Sequence, residues 1–87
     1  MNSKDLLLQL VQSVFPEATL SPDERNPVDD AIYVDRGHKE YAVDIKRALC
    51  MFDEQWVFLE AENICQKLCT AMMKDSMPEV TISKFVD

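Results

Sequence analysis

The fold of this chain turns on Ala31-Ile32-Tyr33-Val34-Asp35, Arg36-Gly37-His38-Lys39 and Glu40-Tyr41-Ala42-Val43-Asp44-Ile45-Lys46. Two runs rich in β-branched and aromatic residues flank a polar stretch that holds the only glycine of the sequence. Alternation puts Tyr41, Val43 and Ile45 on one face of an extended strand. Gly37 supplies the positive φ that a tight connection needs. The spacing therefore predicts a β-hairpin. A rival reading exists for residues 40–52. Wound as a helix, Tyr41, Ala42, Ile45, Ala48, Leu49 and Phe52 also line one side, and periodicity alone does not choose. The β-branched content and the adjoining turn favour the strand.

Downstream of Asp53 or Glu54, either of which can cap a helix, the period changes to 3.6. Val57, Phe58, Ala61, Ile64, Cys65, Leu68, Cys69, Ala71 and Met72 then fill one arc of about 160°. Glu60, Glu62, Asn63, Gln66, Lys67 and Lys74 lie outside it. Asp75, Ser76 and Pro78 end the helix. In Glu79–Val86, Val80, Ile82 and Val86 alternate with Thr81, Ser83 and Phe85, which predicts a last strand.

Upstream, Ser3 is a good N-cap and Pro16 stops a helix near Phe15. Leu6, Leu7, Leu8, Leu10, Val11, Val14 and Phe15 span about 200° of it. That is wider than one core-facing stripe, so this helix is either deeply buried or touches something on a second side. Residues 16–30, with Pro22 and Pro27, read as a long loop, ordered or disordered. Glu17-Ala18-Thr19-Leu20 offers a short edge strand.

The expected order is α-β-β-α-β: a single α+β domain over residues 1–87, with two helices covering one face of a small, mainly antiparallel sheet. On this register Ala31, Tyr33, Ala42 and Phe85 share the second face with Asp35, Asp44, Lys46, Thr81 and Ser83. That face, or an exposed sheet edge, would support a homodimer.

Composition narrows the function. The chain has 87 residues, 47% of them hydrophobic, and a net charge of −7. Two separate cores do not fit in this length. No apolar run reaches the ~18 residues of a membrane span. The acidic balance argues against direct binding to nucleic acid or to an anionic membrane. The amino terminus lacks the pattern of a secretory signal, and three cysteines without framework spacing suit a reducing compartment, so a cytoplasmic location is expected. The charge is concentrated. Glu17, Asp23, Glu24, Asp29 and Asp30 stand against Arg25 alone, and Asp53, Glu54, Glu60 and Glu62 stand against no base.

Catalytic motifs are weak. His38 sits in the predicted turn with no positioned partner. Cys65 and Cys69, at i and i+4, have a spacing that can chelate a soft metal, but they lie in the apolar arc where thiols pack as small hydrophobes. Cys50 has no neighbour that marks a lowered pKa. The paired carboxylates lack the cleft a glycosidase needs and the glycine of a calcium loop. One glycine makes no phosphate-binding loop, so no cofactor is implied. Trp56, Leu59 and Met73 fall outside the helix's core arc. Trp56 either packs on its own chain or anchors an interface.

The sequence therefore reads as a non-catalytic protein-binding module, or a small acidic inhibitor, that occupies a basic surface of a partner protein, a nucleic-acid-binding surface being one such case. The candidate contact residues are Asp23, Glu24, Asp29, Asp30, Asp53, Glu54, Trp56, Leu59, Glu60 and Glu62. A structural subunit that oligomerises through its apolar helix or sheet face is the first alternative. A metal- or redox-responsive domain built on Cys50, Cys65 and Cys69 is the second.

Overall fold

A computed structural model describes residues 3–45, 54–75 and 84–86. The elements are α1 (Ser3–Gln12), β1 (Thr19–Pro22), β2 (Asp30–Asp35), β3 (Glu40–Ile45) and α2 (Glu54–Asp75). The small α+β domain with a mainly antiparallel sheet is as the sequence predicts.

β2 and β3 form the hairpin, with Val34 opposite Tyr41 and Ile32 opposite Val43. Gly37 takes φ +87°. The Asp35 carboxylate accepts from the Gly37 N–H at 2.8 Å, and Arg36 N–H donates to Lys39 O at 2.9 Å. The turn thus satisfies its own backbone. The strand reading holds for Glu40–Ile45; residues 46–52 of the helix–strand ambiguity lie outside the described residues.

One correction concerns the order. The short edge strand offered at Glu17–Leu20 within the expected loop is present two residues later, at Thr19–Pro22, so a strand precedes the hairpin: β1 pairs antiparallel with β2, Thr19 facing Tyr33 and Leu20 facing Ile32. It ends at Pro22, which cannot donate to a ladder and so suits an edge. At the other side of the sheet, Phe85 forms a bridge to Ala42 in the parallel sense, beside two antiparallel pairings, so the sheet is mainly antiparallel. The helix between β3 and this segment is long enough for a parallel crossover. Residues 79–83 of the predicted last strand lie outside the described residues.

α1 and α2 pack against the same sheet face. Leu7, Val11 and Phe15 join Val57, Ala61, Ile64, Leu68 and Ala71 over Ile32, Val34, Tyr41, Val43 and Ile45 in one buried cluster. Pro16 is consistent with the end of α1, whose last turn tightens through Ser13 N–H to Leu10 O and Val14 N–H to Val11 O. The wide arc of α1 resolves into a buried centre, half-buried Leu6, Leu8 and Leu10 on its flanks, and an exposed Val14.

The opposite sheet face is not bare. Ala31, Tyr33 and Ala42 are buried there under Phe85. The Tyr33 hydroxyl accepts from Glu24 N–H at 3.1 Å and donates to Pro22 O at 3.0 Å, so the residues after β1 close over the ring. A homodimer through this face would have to find its apolar surface elsewhere. No helix among the described residues is long and apolar enough to cross a membrane.

Candidate functional site

α2 carries more apolar surface than the core covers. Of the nine residues expected to line its core arc, Val57, Ala61, Ile64, Leu68 and Ala71 are buried and Cys65 and Met72 half-buried. Phe58 is 53% exposed, and Cys69 is exposed. The arc was overestimated on one side, because α1 and the sheet together cover less of the helix circumference than the sequence stripe occupies. Trp56 and Leu59 are 56% and 60% exposed and Met73 is also exposed, in agreement with their exclusion from the stripe.

Two open depressions share this surface. One, of about 310 Å³, is lined by Trp56, Leu59, Glu60, Glu62, Asn63 and Gln66. The other, of about 380 Å³, lies between the helices, where Leu10 of α1 and Val14 of the turn that follows it face Phe58, Cys65 and Cys69 of α2. Glu62 and Gln66 line both, so the two adjoin. Large apolar side chains here stand in water beside the carboxylates of Glu60 and Glu62. Asp53 lies outside the described residues. Glu54 opens α2.

The first acidic cluster is largely ion-paired or hydrogen-bonded within the chain. Glu17 pairs with Arg36 at 2.7 Å, Glu24 with Lys84 at 2.9 Å and Asp30 with Lys4 at 2.5 Å. Asp29 accepts from the Asn26 amide at 3.1 Å. Asp23 is only 3% exposed; its carboxylate accepts from Arg25 N–H at 2.7 Å and faces the Arg25 guanidinium at 3.8 Å. Asp23 thus closes an Asx turn, a local bond that the Asp-x-Arg spacing allows. These carboxylates fasten the segment around β1 to α1, the hairpin and the carboxyl-terminal residues, and they are not brought together with Glu60 and Glu62.

Sequence reasoning missed a polar latch at the end of α2. The Tyr41 hydroxyl donates to Asp75 Oδ2 at 2.6 Å, and Lys39 Nζ donates to Oδ1 at 3.3 Å. The Tyr41 bond holds the Asp75 carboxyl below its ordinary pKa against the opposing effect of burial, with Lys39 and nearby His38 acting in the same direction as Tyr41. Burial, with the bond to Asp75 and its charge, pushes the Tyr41 phenol up to about 12. An acidic residue at a helix C-terminus opposes the macrodipole, and the three partners offset that. The only signal was Asp75 itself, standing where a base is usual.

Two of the three thiols, Cys65 and Cys69, lie among the described residues, one half-buried and one exposed. Burial, followed by the influence of Cys69, pushes the Cys65 thiol up, which disfavours the thiolate a metal or an oxidant requires. Among the described residues no group of three or more His, Cys, Asp or Glu side chains is placed to hold an ion. Cys50 lies outside the described residues. Comparison with protein-family models, with curated proteins and with solved structures gives no match for this chain.

Proposed function

We propose that the chain is a non-catalytic protein-binding module that docks on a basic surface of a partner protein through the outward face of α2. The observation that carries this reading is the set of side chains around one depression: Trp56 and Leu59, each more than half exposed, beside Glu60 and Glu62. Tryptophan gains most when an interface desolvates it, and carboxylates around it orient a cationic partner and speed its approach. One interface of standard size takes roughly 800 Å² per partner. The total accessible surface is 5566 Å², so such a contact fits easily. Where the partner's basic surface is its nucleic-acid site, the module acts as an inhibitor by competing for the same cations.

The test is a charge reversal, Glu60→Lys with Glu62→Lys, made separately from Trp56→Ala. Partners recovered by affinity purification are titrated against each variant at 50 mM and 500 mM salt. Trp56→Ala should weaken binding by about 30-fold or more, the range of an interface hot spot. The double reversal should slow association and abolish most of its salt dependence. Native affinity in both variants, with unchanged far-ultraviolet circular dichroism, would move the interface off α2.

A second reading rests on the groove between the helices, where Val14 and Phe58 are both 53% exposed. Burial of that groove against a second copy would make the chain an assembly subunit. Sedimentation velocity separates the two: a monomer at micromolar concentration removes the second reading, and a dimer lost in Phe58→Glu supports it.

A further inference from the structure

The groove between the helices is walled by side chains. Leu10 of α1 and Val14 after it form one side, and Phe58, Cys65 and Cys69 of α2 form the other, around about 380 Å³ of open space. The peptide groups behind these walls are bonded within α1, within α2 and within the turn after α1. In that turn Ser13 N–H donates to Gln9 O at 3.2 Å, Phe15 N–H donates to Val11 O at 2.8 Å, and the Ser13 hydroxyl donates to Leu10 O at 2.5 Å. An extended segment laid here would bury its own N–H and C=O groups against apolar walls, and each buried polar group left without a partner costs free energy. A helix carries those bonds with it, so it can enter an apolar groove without that cost.

The rim sets the charge of the occupant. Glu62 and Gln66 border both the groove and the depression beside Trp56, and Glu60 lines that depression. Of the residues lining these two hollows, Glu60 and Glu62 are the charged ones, and both are carboxylates. A second copy would meet this patch with itself about a two-fold axis and bring carboxylates towards carboxylates. Like charges brought together across an interface oppose association, here between chains that each carry a net charge of −7. A helix with basic side chains along one flank meets the same rim with opposite charge.

Resting on α2 as the contact face, we infer that the groove between α1 and α2 receives one basic amphipathic helix of the partner protein. Apolar side chains spaced three and four residues apart on that helix enter between Leu10 and Phe58, and its lysines or arginines lie over Glu62 and Glu60. The 10 residues of α1 span about 15 Å at 1.5 Å per residue, so an occupant of about three turns covers the length of that wall. Packed this way the partner is a third helix against two, with its ridges in their grooves.

Two synthetic peptides of identical composition test this. Both contain leucine, lysine and alanine over about four helical turns, with leucines three and four residues apart in one and at alternate positions in the other. Each is titrated against the nitrogen-15-labelled full chain. The helix-period peptide should give saturable shifts of the Val14, Phe58, Cys65 and Cys69 amides, bind at least tenfold more tightly than its isomer, and gain helical circular dichroism on binding. Glutamate in place of its lysines should weaken it at least tenfold, and Phe58→Ala in the chain should weaken it at least fivefold with the fold intact. Equal binding of the two isomers overturns the inference, as does unchanged affinity in Phe58→Ala or a dispersed spectrum in which the groove amides do not shift. A concentration-dependent dimer that shifts the same amides without peptide assigns the groove to a second copy and also overturns it. Each of these results leaves α2 standing as the contact face, which falls separately if Trp56→Ala and the double reversal both keep native affinity for the purified partner.

Discussion

Leucine occurs at two sites on α2 that the structure places in opposite surroundings. Leu68 is 0% exposed inside the cluster shared by α1, α2 and the sheet, and Leu59 is 60% exposed. Truncation to alanine removes the same atoms at both. At Leu68 it takes away transfer free energy and leaves a cavity lined by rigid neighbours, a loss of about 3 kcal/mol from the range seen for buried leucines. A domain of 87 residues is stable by about 4–13 kcal/mol, so Leu68→Ala removes a quarter or more of the total. The melting temperature should fall by about 12–24 °C, taking about 4–8 °C per kcal/mol for a domain of this size. At Leu59 there is no cavity to leave and alanine is the better helix former, so the change should stay within about 0.5 kcal/mol. Urea unfolding followed by circular dichroism, checked against the fluorescence of Trp56, measures both. Equal losses at the two positions would mean that α2 is rotated relative to the sheet, and the proposed contact surface would go with it. The same pair separates stability from function: Leu59→Ala should weaken partner binding while its melting temperature holds.

Three further outcomes follow from particular contacts. The lowered pKa of Asp75 means that its contribution is present at neutral pH and is lost as the pH falls below about 4, through the folded-state value; the raised pKa of Tyr41, about 12, means that its contribution is complete below about pH 10 and lost above that. Tyr41→Phe should therefore lower the melting temperature at pH 7 and flatten both limbs of the stability profile, and limbs unchanged from the native chain would count against the latch. Gly37→Ala should cost about 1 kcal/mol from backbone strain alone, since φ is +87° and no atom lies within 4 Å of the added methyl; an unchanged unfolding midpoint would show that the turn has another conformation in solution. Alkylation of the folded protein, located by peptide mass mapping, should label Cys69 well before Cys65, because one thiol is exposed and the other is half-buried with a raised pKa. Faster labelling of Cys65 would contradict the packing of α1 on α2.

The hairpin was legible because three independent signals agreed in one place: alternation, β-branched content and a lone glycine. The long helix was legible over Glu54–Asp75; Ser76 and Pro78, read as part of its end, lie outside the described residues. Its rotation was legible only in part. A hydrophobic arc records which residues prefer burial, not how much of the circumference neighbouring elements cover, so Phe58 and Cys69 were placed in a core that does not reach them. β1 was legible only as a short edge strand placed two residues early, because Thr19, Ser21 and Pro22 are exposed and its pairing is set by β2 rather than by its own pattern. The same holds for the acidic residues around it. Their number was plain in the sequence, but nothing in a one-dimensional pattern told that Glu17, Glu24 and Asp30 would each meet a cation from a distant segment. Trp56 and Leu59 were singled out by exclusion from the arc, which proved a better guide than inclusion in it.

The fate of those carboxylates bears on how salt should act on the molecule. Exposed pairs in contact, such as Arg36 with Glu17 or Lys84 with Glu24, weaken as salt rises. Partly exposed pairs of this kind are worth at most about 1 kcal/mol each, so their partial loss moves stability only slightly. Added salt also relieves the self-repulsion of a chain with a net charge of −7, which acts in the opposite direction. Stability should therefore be nearly flat in salt. Attraction between the acidic surface and a distant cationic partner acts over more than a Debye length, about 10 Å at 0.1 M, and falls steeply. The two responses separate because the contact pairs of the first acidic cluster contribute little each, and the carboxylates of α2 lie beside apolar side chains in solvent. A melting temperature that dropped with salt in step with the association rate would mean that the same charges do both jobs, and the division between a fastening cluster and a contact cluster would fail.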